Sequence, residues 1–296
     1  MREDHSQQTL STHILKKEEI GTVIEVLASL GITKIRFTGG EPLLRKDIVE
    51  LVALAKNTPG IDKVSLTTNG LLLDRCLGKL ADAGLDAINF SIDTLKSTRY
   101  QAITRRNEFE RARNNLSMLV ELKFMTVKVN AVMMRGINSD EIPDFVELAR
   151  ESPITVRFLE LQPFDDHQIW RTGKFFSAEK IQEELLKLFP GMETKTGKST
   201  EFFSFSLPSH QGSVAVIPAF TRNFCSSCNR IRITSDGKVI SCLYDKEGFN
   251  LLPALQAGSA REALAELFRN AVDRKPEDGK HAARNKFRSS MSEIGG

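Results

Sequence analysis

The feature that most constrains this chain is a unit repeated from about residue 15 to residue 190: an amphipathic helical pattern, a short turn, then a brief apolar strand. Strand candidates fall at 34–38, 63–67, 87–92, 126–133 and 155–161. Each is rich in Val, Ile, Leu or Phe, as strands covered on both faces tend to be. Helical periodicity fills the intervals at 16–30, 47–56, 72–83, 109–122, 141–151 and 178–188. Gly31 and Gly84 follow two of these helices, where helix-ending glycines are expected. Alternation of this kind joins parallel strands through right-handed crossovers. The expected class is therefore α/β, either an open doubly wound sheet or a partial barrel. In both, ligands bind beyond the carboxyl ends of the strands.

After residue 195 the pattern changes to short strand-like pieces at 201–206, 213–217, 230–234 and 239–243. Ser235-Asp236-Gly237 is a tight-turn signal, so the last two pieces form an antiparallel hairpin. A helix is expected over 260–272, and the polar, basic stretch 274–296 reads on composition as a frayed terminus. With 41% apolar and 27% charged residues the chain has ordinary globular composition. Its formal charge of +3 makes no case for nucleic acid or an anionic membrane as partner. No apolar run reaches the roughly 20 residues of a membrane span, and the first ten residues lack an apolar signal region. The expectation is a soluble, cytoplasmic protein, an organelle-targeting segment upstream being invisible in this sequence.

Three of the four cysteines, Cys225, Cys228 and Cys242, cluster; the fourth, Cys76, reads as a lone buried thiol. Two thiolates three positions apart can bite one centre, and the 230–243 hairpin can fold the third back beside them. Three soft ligands suit a Cys₃His zinc site or a [4Fe–4S] cluster with one iron open. The nearest histidine, His210, lies fifteen residues upstream of Cys225, so a local Cys₃His set is not evident. Three unligated core cysteines are the bland alternative.

Polar groups gather at predicted strand ends. Thr38-Gly39-Gly40-Glu41-Pro42 offers two glycines for close backbone approach, with a carboxylate and carbonyls that can accept from a cationic amine. Thr67-Thr68-Asn69-Gly70 and Ser91-Ile92-Asp93 occupy similar places, although turn and capping chemistry would explain each alone. Arg36 and Lys128 interrupt apolar strands, where an unpaired cation is costly. Each is expected to point into a polar cavity or to pair with a buried carboxylate such as Glu160. Arg230 and Arg232 flank Ile231 and would project to one side of a strand. Several converging cations suit a triphosphate; a solvated edge strand is the alternative for the arginine pair.

In this order, Thr38-Gly-Gly-Glu-Pro-Leu-Leu-Arg45, Thr67-Thr-Asn-Gly70, Ile88-Asn-Phe-Ser-Ile-Asp93, Val127-Lys-Val-Asn130, Met134-Arg-Gly-Ile-Asn138 and Arg157-Phe-Leu-Glu160 resemble the radical-SAM GTP 3′,8-cyclase family of molybdenum cofactor biosynthesis. So do Phe224-Cys-x-x-Cys-Asn-Arg-x-Arg232, Ser235-Asp-Gly237 and the final Gly295-Gly296. The resemblance spans nearly the whole chain. It implies a partial, incomplete β/α TIM-like barrel of radical-SAM type over 15–195, preceded by a residual loop at 1–14. The C-terminal region, 196–296, would hold short antiparallel strands, a helix and a second Fe–S cluster. S-adenosylmethionine would serve as radical source and GTP as substrate: hydrogen abstraction at ribose C3′ and attack on guanine C8 would give 3′,8-cyclo-GTP, precursor of the pyranopterin.

Carried over by position, Gly39, Gly40, Glu41, Ser91 and Gln162 would face SAM; Gln162 stands where the family has a methionine. Arg36, Thr67 and Lys128 would hold GTP, with Arg230 and Arg232 beside its purine end. Cys225, Cys228 and Cys242 would bind the second [4Fe–4S] cluster, whose open iron anchors the guanine, and Gly295 and Gly296 would thread toward the site. A reductant protein, a downstream pterin synthase and a homodimer partner are compatible with this picture; nucleic acid and membrane are not partners. The whole reading expects the thiolates and the rim of small and cationic groups to face one hollow.

The family also carries Cys-x₃-Cys-x₂-Cys after its first strand, usually followed by Met. No cysteine precedes Cys76 here, and Met1 stands about twenty residues before Ile20 of the first helix, as that internal Met does before the matching Ile. The resemblance thus implies that the first strand, the SAM-cluster ligands and a GTP-contacting arginine lie outside this sequence. A chain of these residues alone is expected to be catalytically dead and poorly stable. The alternatives are a non-catalytic nucleotide- or cluster-binding module and a zinc hydrolase, the latter disfavoured by five scattered histidines.

Overall fold

A computed structural model of the chain describes residues 13–121, 125–162, 172–195, 203–221, 228–244 and 248–276. In chain order its helices are α1 (Lys17–Ser29), α2 (Ile48–Asn57), α3 (Leu73–Asp82), α4 (Ser97–Thr104), α5 (Phe109–Glu121), α6 (Ile142–Glu147), α7 (Ala178–Leu188), α8 (Leu252–Leu255) and α9 (Ala260–Asp273). The strands are β1 (Lys34–Phe37), β2 (Lys63–Thr68), β3 (Ala87–Ser91), β4 (Thr126–Met133), β5 (Thr155–Glu160), β6 (Glu193–Lys195), β7 (Phe203–Ser206), β8 (Ser213–Ile217), β9 (Arg232–Ile233), β10 (Lys238–Ile240) and β11 (Phe249–Asn250). The described residues divide into two compact units, one comprising 67–75 and 87–221, the other 13–66, 76–86 and 228–276.

The first unit is built on strands in the order β3-β4-β5-β8-β7-β6. β3, β4, β5 and β8 run parallel, and β7 and β6 complete the sheet antiparallel. The register sets Ile88 beside Val127, Val129 beside Val156, and Phe158 beside Val216. Together with Phe90 and Val214 these make one apolar face, no residue of it more than 2% exposed. Burying each such side chain contributes about 1.5–3 kcal/mol, and Phe158 meets Phe145 of α6 edge-on at 6.0 Å. β8 is the strand of the late region that joins the parallel set. Its buried Val214-Ala215-Val216 core has the unbroken apolar character of a doubly covered strand.

In the second unit β1 pairs parallel with β2, Arg36 lying opposite Ser65. β9, β10 and β11 form a small antiparallel sheet, with Gly237 at φ 83° in the turn that the Ser-Asp-Gly signal predicts. Val23, Val26 and Leu27 of α1 pack with Val239, Leu251, Leu264 and Phe268 in one buried cluster. This cluster holds the β9–β10 hairpin against α1 and α9. Among the described residues no helix is long and apolar enough to cross a membrane.

Candidate functional site

The polar side of the first unit follows from strand register. Pairing sets Asn89 beside Lys128 and Lys128 beside Thr155; the next row is Ser91, Asn130, Arg157. Side chains of paired residues share a face of the sheet, so these six stand opposite the apolar face. Asn89 is buried, as is Arg157, which reaches Asn89 Oδ1 at 3.5 Å. Lys128, Ser91 and Thr67 are half-buried. The Oδ1 of Asn130 is fully buried with no hydrogen-bond partner among the described residues, and so is the Oε1 of Gln162, two residues beyond β5. A buried acceptor without a donor costs about 1–3 kcal/mol. Two of them, in β4 and just past β5, suit a hydroxyl- or amine-bearing ligand. The residues present therefore fit S-adenosylmethionine. Asn130 was legible in advance only as a second polar residue at alternate spacing in an apolar strand.

The loops that follow β3 and β4 are fastened to each other. Asn138, fully buried, donates from Nδ2 to the carbonyls of Asp93 (2.6 Å) and Val132 (2.8 Å) and accepts at Oδ1 from the Met134 N–H (2.7 Å). Asp93 Oδ1 accepts from the Val132 N–H at 2.9 Å. Next along the chain, buried Glu141 accepts from Thr94 Oγ1 (2.7 Å), the Leu95 N–H (2.6 Å) and Arg99 (2.7 Å). Arg99 also bonds Asp140, holding that carboxyl well below the usual carboxylate range, and the pairing keeps the guanidinium charged. α4, which supplies Arg99, is short of apolar periodicity and went unread in the sequence.

The expected pairing of a strand cation with Glu160 does not occur. Register places Lys128 against Thr155 and Glu160 against Met133, at opposite ends of β4 and β5. Glu160, 1% exposed, accepts instead from the N–H groups of Ala178 (2.6 Å), Phe220 (2.8 Å) and Thr221 (2.8 Å) and from Thr221 Oγ1 (2.7 Å). Among the described residues four donors satisfy it. Thr68 and Asn69 serve the turn after β2: Thr68 Oγ1 accepts from the Gly70 N–H and Asn69 Oδ1 from the Leu71 N–H, both at 3.0 Å. Gly70 is required there by its φ of 79° and by the Phe90 ring, 1.9 Å from where a Cβ would sit.

In the second unit Arg36 is exposed rather than enclosed, its Nε 3.4 Å from Ser65 Oγ. β1 stands at the end of the strand order among the described residues. Beyond β1 the backbone turns through Gly39 at φ 149°, a conformation only glycine adopts comfortably. A Cβ added at Gly39 or Gly40 would meet nothing within 4 Å, so open space lies against this backbone. The buried Thr38 Oγ1 beside it has no partner among the described residues. Glu41 turns one carboxylate oxygen onto the Leu43 N–H (3.1 Å), capping the short 3₁₀ turn Pro42–Leu44.

Cys228 and Cys242 both carry free thiols; Cys225, Gly295 and Gly296 lie outside the described residues. The hairpin pairs Ile240 with Arg232, so its antiparallel sense returns residue 242 toward residue 230. Cys242 is buried and Cys228 half-buried, whereas Cys76 is half-buried and not the enclosed thiol expected. Burial works to raise the Cys228 thiol. A hydrogen bond from the Arg230 backbone and the charge and hydrogen bond of Lys275 outweigh it, holding the thiol below its ordinary value. A lowered pKa marks a thiol more reactive than an inert core cysteine; among the described residues, which leave out Cys225, no three His, Cys, Asp or Glu side chains come together to hold a metal ion. Arg230 is exposed and Arg232 half-buried. Arg230 precedes β9, so the two share no strand face.

Comparison with known proteins gives consistent matches. The Radical SAM superfamily matches residues 4–149, and Molybdenum Cofactor Synthesis C matches residues 154–281. The chain is 53% identical to a GTP 3′,8-cyclase of Chlorobaculum tepidum over 296 residues, covering all of this chain and 89% of that protein. It is 38% identical to the mitochondrial GTP 3′,8-cyclase of Arabidopsis thaliana over 268 residues, covering 90% of this chain and 68% of that one. Among solved structures, Streptococcus suis SuiB bound to precursor peptide SuiA aligns with a TM-score of 0.58 at 13% identity, over 94% of this chain and 69% of that one. Native anSMEcpe with bound AdoMet and Cp18Cys peptide aligns at 0.53 and 14% identity, over 84% and 75%. These two likenesses show a shared radical-SAM fold.

Proposed function

The chain belongs to the radical-SAM GTP 3′,8-cyclase family of molybdenum cofactor biosynthesis, and from that premise we propose how its residues divide the work of binding SAM, GTP and an iron–sulfur cluster. Ser91, Asn130 and Gln162 are assigned to SAM, as are Gly39, Gly40 and Glu41 by their place in the family's Gly-Gly-Glu-Pro motif. The single observation that carries this reading is the pair of buried, partnerless acceptors on Asn130 and Gln162 in a parallel α/β sheet. The glycines leave room for close approach, and the Glu41 carboxylate complements an ammonium. When bound, SAM with a reducing [4Fe–4S] cluster supplies the 5′-deoxyadenosyl radical that begins GTP cyclisation.

For GTP, Lys128 and Arg36 offer cations to the phosphates, Thr67 a hydroxyl, and Arg230 and Arg232 planar donors to the purine end. Cys225, Cys228 and Cys242 are assigned to the C-terminal cluster, and Gly295 and Gly296 to the substrate, by their place in the family's motifs. Isothermal titration of SAM and of GTP into the anaerobically reconstituted chain tests the division. Lys128→Met is expected to weaken GTP roughly ten-fold or more, the loss of one charge-assisted contact, and to leave SAM affinity unchanged. Equal losses for both ligands would contradict it.

A further inference from the structure

β3 ends at Ser91, whereas β4 runs on past Asn130, the partner of Ser91, to Met133. The parallel ladder takes one rung beyond Ser91, where the Ile92 N–H donates to the Asn130 carbonyl at 3.0 Å. In a continuing parallel pair the Val132 N–H would go next to the Ile92 carbonyl. It donates instead to Asp93 Oδ1 at 2.9 Å, so a side-chain carboxylate stands in for a strand carbonyl. Asn138 then acts as a detached peptide group. Its Nδ2 donates to the carbonyls of Asp93 (2.6 Å) and Val132 (2.8 Å), and its Oδ1 accepts from the Met134 N–H (2.7 Å). Two side chains thereby satisfy four main-chain groups at the end of the sheet, and Asn138 is 0% exposed.

We propose that Asp93 and Asn138 are positioning residues for SAM: by clasping β3 to β4 where the two strands part, they set the spacing of Ser91 and Asn130. The proposal rests on the reading that Ser91 and Asn130 contact SAM. Asp93 and Val132 each lie two residues beyond one of these groups, so their bond occupies the neighbouring rung. β4 is already fixed on its other side, where Val132 pairs with Leu159 and Met133 with Glu160 of β5. The end that the clasp has to hold is therefore that of β3, and with it Ser91. A ligand that must first draw Ser91 and Asn130 into place loses part of its binding free energy to ordering them. Lys128, two residues earlier than Asn130, is paired with Asn89 on one side and Thr155 on the other. GTP, assigned to Lys128, does not depend on the clasp.

Calorimetric titration of SAM and of GTP into the 296-residue chain, reconstituted anaerobically with iron and sulfide, tests this beside hydrogen exchange at the Val132 amide. Asp93→Ala removes the acceptor and is expected to weaken SAM roughly three- to ten-fold, with GTP affinity unchanged and Val132 exchange faster. Asp93→Asn keeps an oxygen for the Val132 N–H and is expected to restore SAM affinity and amide protection together. A generally loosened fold would not show that rescue. Asn138→Asp, which loses both donated bonds, is expected to match Asp93→Ala; should it fail to fold, the Asp93 pair decides. Faster exchange at Val132 with wild-type SAM affinity would overturn the proposal, and so would equal losses of SAM and GTP. Ser91→Ala and Asn130→Ala isolate the premise. If neither weakens SAM, the reading of those residues falls and the proposal with it; if both do while Asp93→Ala binds SAM like wild type, the proposal alone is overturned.

Discussion

The two units hold their polar groups by opposite means. In the first, Asn89, Ser91, Lys128, Asn130 and Arg157 are carried by parallel strands whose other face is at most 2% exposed, and Asn138 and Glu141 lock the loops behind them. In the second, Arg36 lies on a strand that ends the described order, Arg230 precedes a two-residue strand, and the Arg230 carbonyl accepts from Lys275, outside the hairpin. Where a packed sheet sets the register, the site is preorganised by burial. Where strands are short, the ligand itself has to contribute the order. The buried locks of unit one, Glu160 and Glu141 among them, should therefore respond to substitution through stability, while groups that face a ligand respond through loss of the bound group.

Glu160→Ala is the strongest way to break that contrast. It strips a buried carboxylate from four donors, and we expect about 3 kcal/mol or more of destabilisation, seen as a large fall in thermal midpoint. Asn130→Ala sharpens the contrast. SAM affinity should fall roughly ten-fold, about 1.4 kcal/mol, with the melting temperature held or slightly raised because an unsatisfied acceptor is removed; calorimetric titration and melting curves check both. Arg99→Met probes the loop behind Ser91 through pH. Asp140 has its pKa depressed by Arg99, so its stabilisation is present above the ordinary carboxylate value and disappears as pH falls through the lowered one. Without Arg99 most of that pH-dependent contribution should be absent, so the stability difference between wild type and variant narrows as pH falls below the ordinary carboxylate value. Because Asp140 is 54% exposed, that term is about 0.5 kcal/mol, read from denaturant midpoints across acid pH. Least is expected of Arg36→Gln, a stability change within about 0.5 kcal/mol, since its guanidinium is in solvent; a larger fall would mean that β1 is enclosed.

Much of this was legible in the sequence. β1 to β5 fall within the predicted strands to a residue or two, because short runs such as Val127–Val132 and Thr155–Leu159 permit little else. The 235–237 turn and the hairpin around it were likewise readable from Ser-Asp-Gly. What escaped was long-range. Glu160 looked like a partner for a strand cation, yet its donors come from residues 18 to 61 positions later. Arg36 looked enclosed because Ile35 and Phe37 flank it, but an end strand is covered on one side only, giving an alternating exposed and half-buried pattern. α4 buries only Tyr100, so no apolar stripe announced it. Asn130 gained meaning only when register set it between Ser91 and Arg157.

The central claim is that the late cysteine trio binds a cluster, and metal analysis of the reconstituted chain tests it most directly. Wild type should carry the iron and sulfide of one [4Fe–4S] centre, and a variant with Cys225, Cys228 and Cys242 all changed to serine should carry none. Zinc in place of iron and sulfide, or iron and sulfide retained by the triple variant, would contradict the account.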